Sequence, residues 1–415
     1  MPSSPTPDKP KILILVSGYL PGYKAGGPIR SIENLVNTFA DEFDFRIVAM
    51  DRDLGDSEPY PGIVTHQWVP VGGVQVMYLD DGNRGILKLC QLLRTMDRDT
   101  VLYINSFFGR QFSMLPVLLR WLRLCQPRYT VLAPRGEFSQ GALGIRSRRK
   151  HFYILLSRCL GLHSGITWHA SSAFESTDIQ NVFPATRSIS IAGVVDSTTK
   201  RPQTRSVVVT ASDLASASPT KGSTRAHKTA GQLRLVFLGR CSPMKNLTGA
   251  LRLLKGLSGD ITMDVYGPVE DLVYWRECEA LISELPSNVK VHHKGQIPHS
   301  EVSMILSQYD LFFLPTLGEN YGHVIFEALS AGCPVLISDR TPWRKLEEAG
   351  VGWDVSLSDP DRFRSILTQC IQAENGEIDA LSSAAKKFAH RHASNPDTLE
   401  ANRQLFIRAL NWSRR

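Results

Sequence analysis

The sequence lacks the marks of several protein classes. Its seven cysteines (90, 125, 159, 241, 278, 333 and 370) are odd in number and form no CxxC pair. That argues against a disulfide framework and a thiolate zinc site, and fits a reducing compartment. No apolar run approaches the roughly 18 residues a helix needs to span a bilayer. The first ten residues, MPSSPTPDKP, are polar and proline-rich, with no apolar stretch of the export-leader kind, and are expected to form a disordered tail. A cytoplasmic protein is the expectation. Acidic residues are almost missing from one segment: between Arg110 and Leu160, Glu137 stands alone against ten basic residues (Arg110, Arg120, Arg123, Arg128, Arg135, Arg146, Arg148, Arg149, Lys150 and Arg158). That segment's +9 exceeds the +7 of the whole chain. Such a stretch implies an anionic partner: phosphate, anionic lipid or nucleic acid. Nucleic acid is disfavoured, because RNP motifs, zinc ligands and helix-turn-helix cues are missing and aromatics are not interleaved with the basic residues.

What is present is an ordinary globular composition, 42% hydrophobic and 21% charged over 415 residues, enough for two or three domains. Apolar β-branched runs alternate with amphipathic segments. KILILVSG at 11–18, FRIVAM, VQVMYL, VLYINSFF, YTVLAP, GITWHA and SISIAGVV read as strands, with helical stretches after Pro28 and around 84–96, 112–124, 147–160 and 173–181. Residues 197–231, rich in Ser, Thr, Ala and Lys, read as a mobile linker. The alternation then restarts with LRLVFLG, ITMDVYG, VKVHHKG, LFFLPT and PVLISD. The pattern predicts an α/β chain of two doubly wound domains: a tail at 1–10, a first domain at 11–196, a linker at 197–231 and a second domain at 232–395. The last helical stretch, 396–413, is expected to fold back across the first domain, and the pair of domains to leave a cleft.

The chemistry-bearing pattern lies in DLFFLPTLGENYGHVIFEALSAGCPVLISD, residues 310–339. A buried strand ends at Pro315, a loop carries Glu319, and a helix starts near Gly322 and runs past Glu327 to Ala331. The amides of Tyr321, Gly322, His323 and Val324 then lie at a helix start, the positive end of its dipole. Gly322, without a side chain, lets a phosphate approach. Glu319 and Glu327 flank that anion site, and carboxylates there suit hydrogen bonds to sugar and ribose hydroxyls. Arg240 and Lys245, in LGRCSPMKNL after the strand at 233–239, supply the opposing charge. In the first domain, GYLPGYKAGGPIRSIENL (18–35) places Gly26 and Gly27 before a helix opened by Pro28, a second candidate anion site; a plain turn before a helix is the alternative.

These motifs resemble the retaining glycosyltransferase family 4, a family of the GT-B fold. Its hallmark, two glutamates separated by seven residues, is matched by Glu319 and Glu327, and its Arg–Lys pair by Arg240 and Lys245. The resemblance is strong over the second domain and loose over the first. It implies that Arg240 and Lys245 bind the diphosphate of a nucleotide sugar and serve catalysis with Glu319. It implies that Glu327 binds the ribose, that Glu319 holds hydroxyls of the transferred sugar, and that the backbone from Asn320 through Val324 binds phosphate and sugar. The base would rest near Lys294, Gly295 and Ile297, while Gly26 and Gly27 would face the diphosphate. It implies no metal and no other cofactor. The family's histidine after a central first-domain strand is replaced: APRGEFS (133–139) puts Arg135 and Glu137 on that loop, as acceptor-side candidates or as a mutual surface pair. That argues against a histidine-based account of acceptor activation. The family's Pro-Asn-Gly-Val-Asp segment is likewise changed, to AGVVD at 192–196. His169, in TWHASS, reads as structural, and for His323 the backbone is the better candidate than the ring.

The expected activity is transfer of a sugar, with retention, to a saccharide or lipid-linked acceptor in polysaccharide or glycolipid synthesis. The alternatives are a nucleotide-sugar epimerase of similar fold and a catalytically inactive subunit that binds sugar nucleotides. GIRSRRKHFYILLSRCLGLH (144–163) has two readings. One is a core-facing helix with a solvated basic start, its apolar side made of Phe152, Leu155, Leu156, Cys159 and Leu160. The other is a face that meets an anionic membrane on its inner side.

Overall fold

The computed structural model describes residues 9–24, 26–144, 147–195 and 225–411. Its contacts divide the chain into two compact units, Met1–Thr210 with Ser394–Arg415, and Ala211–Ala393.

The first unit runs β1 (Lys11–Leu15), α1 (Gly27–Phe39), β2 (Asp44–Met50), β3 (Trp68–Val71), β4 (Val74–Leu79), α2 (Asn83–Thr95), β5 (Val101–Ile104), α3 (Leu115–Trp121), β6 (Tyr129–Leu132), α4 (Gln140–Gly144), α5 (Ser147–Cys159), β7 (Thr167–Ala170), α6 (Ala173–Val182) and β8 (Ile189–Ile191). Its sheet has the order β3-β4-β2-β1-β5-β6-β7-β8. The strands pair in parallel except β3, which runs antiparallel to β4. VLYI of β5 and YTVL of β6 are buried throughout, as strands covered on both faces must be. Successive residues feed opposite cores. Ile12 and Ile14 join Ile32, Leu35 and Val36 of α1 on one face, while Leu13 and Leu15 join Leu89, Leu93 and Val117 on the other. The sequence reading missed β3, a four-residue edge strand carrying Pro70, where a missing donor costs no ladder bond.

The second unit runs β9 (Gln232–Leu238), α7 (Leu247–Leu254), β10 (Asp260–Tyr266), α8 (Leu272–Ser283), β11 (Val289–Gly295), α9 (His299–Leu306), β12 (Leu311–Leu314), α10 (His323–Ala331), β13 (Val335–Ser338), β14 (Gly352–Val355), α11 (Pro360–Gln372) and α12 (Asn375–Ala393). Its parallel sheet has the order β11-β10-β9-β12-β13-β14; β14 was not expected from the sequence.

The remaining helix, α13 (Pro396–Asn411), belongs to the first unit. Phe406 is fully buried there. Its ring lies 5.4 Å from Phe43, 6.0 Å from Phe45 and 5.8 Å from Tyr103. The Arg403 guanidinium forks onto Glu42 at 2.6 and 2.9 Å. Of the stretch read as linker, 197–224 lies outside the described residues, as does most of the expected tail. Residues 225–231 are built into the second unit, a correction to the linker's far boundary. Arg225 Nη1 donates to Asp310 at 2.9 Å. The buried Lys228 ammonium donates to the carbonyls of Thr229, Ile371 and Ala373. An ammonium can be buried only when its donors are satisfied; the bland composition of this stretch hid that role.

Candidate functional site

In the second sheet β10 and β11 lie to one side of β9 and β12 to the other. The loops leaving β9 and β12 therefore diverge at a topological switch point, where open α/β sheets place ligands. Lys245 comes from the first loop and Glu319 from the second, and Lys245 Nζ donates to Glu319 Oε1. The side chains are only 15% and 10% exposed, so each is the main counter-charge of the other. Thr316 Oγ1 lies 3.3 Å from the same carboxylate oxygen, with Met244 O nearer at 2.9 Å as its acceptor.

Local chemistry fixes both ends of this pair. A short 3-10 turn, Pro243–Lys245, ends at Asn246 in the left-handed conformation. The Asn246 side chain accepts from Gly249 N at 3.2 Å and donates to Pro315 O at 2.8 Å. It caps α7 and also ties the β9 loop to the β12 loop. On the other side Glu319 N donates to Arg340 O at 3.0 Å.

Gly322 precedes α10 at φ 80° and ψ 59°. A Cβ there would stand 2.8 Å from Ile325 Cδ1 and 3.5 Å from Glu319 Cγ. Glycine relieves both the left-handed strain and the crowding beneath the loop. Ile325 N turns back to Gly322 O at 2.8 Å, while the first-turn amides of α10 point out of its start. Gly322→Ala is expected to cost about 1–2 kcal/mol in stability. It should weaken binding of any diphosphate more than tenfold, read by calorimetric titration; unchanged affinity would remove the helix start from the site.

Tyr321 is a supporting residue. Its hydroxyl meets His392 Nε2 at 3.1 Å and its carbonyl accepts from Trp343 Nε1 at 2.5 Å. This favours its backbone as the ligand group. His323 stacks edge-on against Tyr321 at 4.9 Å. Glu327, one turn into α10, lies 3.4 Å from His299 Nδ1 at the start of α9.

Arg240 and Lys245 do not share a partner. Arg240 Nη1 reaches Glu270, in the loop after β10, at 2.7 Å in an exposed pair. Gly295, at φ 73°, closes β11, and its carbonyl accepts from Gly267 N at 2.8 Å. Lys294 faces Asp264 at 3.9 Å, and Ile297 is half-buried beyond it. The sequence reading missed Asn246, Glu270 and His299. Asn246 was findable, since Asn before LTGAL is a capping signal; nothing in the sequence ties Glu270 to Arg240 or His299 to Glu327.

In the first unit Gly26 caps α1 at φ 64° and ψ −118°, a backbone state restricted to glycine, and Gly27 begins the helix. These residues follow β1 and Asn105 follows β5, the neighbouring pair at that sheet's switch point. Arg135 is held at φ 54°. Its Nε donates to Asn105 Oδ1 at 2.7 Å and its Nη2 to Tyr103 Oη at 2.8 Å. Tyr103 in turn meets His169 Nδ1 at 2.7 Å, and His169 Nε2 meets Ala192 O at 2.9 Å. Arginine only donates and a carbonyl only accepts, so the chain runs one way: Arg135 to Tyr103, Tyr103 to His169, His169 to Ala192. That direction requires a neutral imidazole. Burial, with Arg135 adding to it, lowers the His169 pKa to about 3.

The two loop residues do not form a surface pair. Glu137 accepts from Ser106 Oγ, Phe107 N and Phe108 N at 3.0, 2.6 and 3.0 Å. Burial raises its pKa, opposed by those donors. Glu137 thus anchors the loop that presents Arg135. Glu175, missed by the sequence reading, is the second anchor: it is buried and accepts from Gly136 N, Ser171 N and Ser171 Oγ.

Residues 223–388 match the family described as Glycosyl transferases group 1. A phosphatidyl-myo-inositol mannosyltransferase of Mycobacterium leprae is 29% identical over 169 residues. That match spans 40% of this chain and 42% of the relative, well under half of its length. Solved structures extend the likeness to both units at the level of fold. HepE of Anabaena, determined with UDP and glucose, has a TM-score of 0.63 at 14% identity, over 95% of this chain and 98% of its own. Sucrose-phosphate synthase of Thermosynechococcus elongatus gives 0.63 at 14%, over 96% and 100%. The chain has the GT-B fold, with two α/β domains, and the group 1 glycosyltransferase match lies in its second unit.

Proposed function

We propose that the chain is a glycosyltransferase that takes a sugar from a nucleoside diphosphate donor and passes it, with retention, to a saccharide or lipid-linked acceptor. The observation that carries this reading is the Lys245–Glu319 pair at the switch point of the second sheet, beside the start of α10. A diphosphate entering there draws on Lys245, Arg240 and the α10 amides, all donors to anionic oxygen. Charge that grows on the leaving diphosphate is met by groups already in place. Glu319, freed from Lys245, accepts from hydroxyls of the sugar. Glu327, whose neighbour His299 steadies it, accepts from the ribose. Gly295 and Ile297 flank the base. A solved neighbour holding UDP and glucose supports a donor of this class.

In this reading the first unit serves the acceptor. Gly26 and Gly27, which open α1, offer an anion site of their own, and Arg135 stands on its Glu137- and Glu175-anchored loop for the acceptor. The acceptor hydroxyl attacks on the face from which the diphosphate leaves, and a diphosphate oxygen takes its proton. The reading invokes no resident metal, and it places the protein in the cytoplasm on the path to a polysaccharide or glycolipid, with peripheral contact to an anionic membrane through 144–163.

The test is a thermal-shift screen against UDP, GDP, ADP and their sugars, followed by product analysis with the stabilising donor. One nucleotide should stabilise selectively, and a new glycosidic bond of retained configuration should form equally well in EDTA. Glu327→Ala should weaken donor binding about tenfold without changing the melting temperature of the free protein. A free isomerised nucleotide sugar would assign an epimerase instead, and binding without turnover a sugar-nucleotide-binding subunit.

A further inference from the structure

Helix α5 has two apolar sides. Tyr153, Ile154 and Ser157 face the core, where Ile154 is 7% and Ser157 1% exposed. Phe152, Leu155, Leu156 and Cys159 lie on the outer side of the same helix, with Phe152 67% and Leu155 60% exposed, and Leu160 follows directly after it, also exposed. The apolar side read from the sequence is thus the outer one, and the core-facing reading of that side is corrected. The outer stripe continues onto the end of α3: Trp121 Nε1 donates to Leu160 O at 3.0 Å, and Trp121, Leu122 and Leu124 are all more than 40% exposed. An apolar surface on two adjoining elements needs a partner.

The charges around this surface share one sign. Arg148 and Arg149 lead into its start and Arg158 lies near its end. At the far end Arg120, Arg123 and Arg128 line a groove of about 690 Å³ together with Trp121, Leu160 and Ser164. Among the described residues none of these six arginines is in an ion pair. Arg120 is half-buried and its guanidinium has no hydrogen-bond partner there. Arg123 closes α3 at φ 59°, a position that favours glycine, yet it carries a cation into the groove. Lys150 stands apart: its ammonium donates to Ala142 O at 2.6 Å and lies over the Phe108 ring.

We propose that this outer face of the first unit rests on an anionic bilayer, with Phe152, Leu155 and Leu156 in the interfacial layer and a phospholipid phosphate in the Arg120–Arg123–Arg128 groove. Charge complementarity selects the occupant. An apolar protein partner does not account for unpaired arginines at both ends of the stripe, whereas a bilayer presents phosphate and acyl chain together. Tryptophan at the edge of the groove suits the same boundary. The α5 axis, about 20 Å long at 1.5 Å per residue, then lies along the membrane plane. In the chain α4 separates it from the loop that carries Arg135. The inference rests on the first unit alone and does not depend on the reading of the donor site.

Flotation with phosphatidylcholine vesicles, with and without 30% phosphatidylglycerol, tests it. The wild type should float only with the anionic vesicles. Each arginine near an anionic surface contributes roughly fivefold, so R120Q/R123Q/R128Q together should bind about a hundredfold more weakly. F152S/L155S/L156S should also lose binding. All six positions are exposed or half-buried, so both variants should keep the wild type's circular dichroism spectrum and melting transition, which report their folding. Equal flotation with neutral vesicles, no flotation, or full binding by either triple variant would overturn the proposal. So would inorganic phosphate binding the groove in wild type without any vesicle association.

Discussion

Lys245→Ala is expected to lower kcat/KM by two to three orders of magnitude and to abolish stabilisation by nucleotide. Two losses combine. The reaction loses a cation positioned for the departing diphosphate, a contribution of about 10²–10³ in rate. The fold loses the counter-charge of Glu319, whose side chain is 10% exposed; breaking such a pair from one side costs about 3 kcal/mol. The double variant Lys245→Ala/Glu319→Gln separates them. With both charges gone the melting temperature should return close to wild type, while nucleotide binding stays lost. Nucleotide binding intact in Lys245→Ala would sink the proposed donor site, and a double variant no more stable than the single would show that the pair is not the source of the destabilisation.

Acid should unfold the first unit well before its carboxylates matter. His163 and His169 are both held neutral, their pKa lowered to about 3, chiefly by burial. Below pH 6.5 the unfolded chain takes up protons that the folded chain refuses. Stability is therefore full above about 6.5 and falls as pH drops from there towards 3. At pH 5 each histidine costs about 2 kcal/mol, so the pair costs about 4 kcal/mol relative to pH 7.5. Urea midpoints across that range measure it. His163 stacks on Phe107 at 4.9 Å, and neither ring nitrogen has a hydrogen-bond partner. His163→Phe should keep the stack, raise stability at every pH and remove about half of the acid sensitivity. A variant with the wild-type pH slope would show that another group titrates. His169 carries a further consequence: protonation at Nδ1 breaks its bond from Tyr103, and with it the support of Arg135.

The two sheets were legible because their central strands are buried on both faces, which writes continuous apolar runs into the sequence. Two short edge strands escaped this signal: WVPV of β3 and GWDV of β14 are broken by Pro70, Gly352 and Asp354 and carry no continuous apolar run. The anion-binding loops were legible for a similar reason. Gly26 and Gly322 mark backbone states that favour glycine, and both precede helices. Pairings across the sheet were not legible. Arg240 and Lys245 are five residues apart, yet the turn at Pro243–Lys245 sends one towards Glu270 and the other towards Glu319. Arg135 and Glu137 sit two apart and part company in the same way, one onto Asn105 and Tyr103 and the other onto Ser106 and the amides of Phe107 and Phe108. Sequence spacing places residues on a loop, but the partner each one meets comes from elsewhere in the fold. For α5 the sequence identified an apolar side and a basic start; only packing could tell which side the core had taken.

Phe406 fills a gap among Phe43, Phe45 and Tyr103, and it leaves the ribosome roughly 360 residues after the first of them. At 5–20 residues per second that delay is about 20–70 seconds. For the later part of it, once β8 has emerged, the first sheet is complete in its strands but open over those aromatic rings, while the second unit emerges and closes. The domain begun first is the domain finished last. Its waiting surface is then the natural point for a chaperone to hold the nascent chain, and premature termination anywhere before α13 leaves that surface exposed for good.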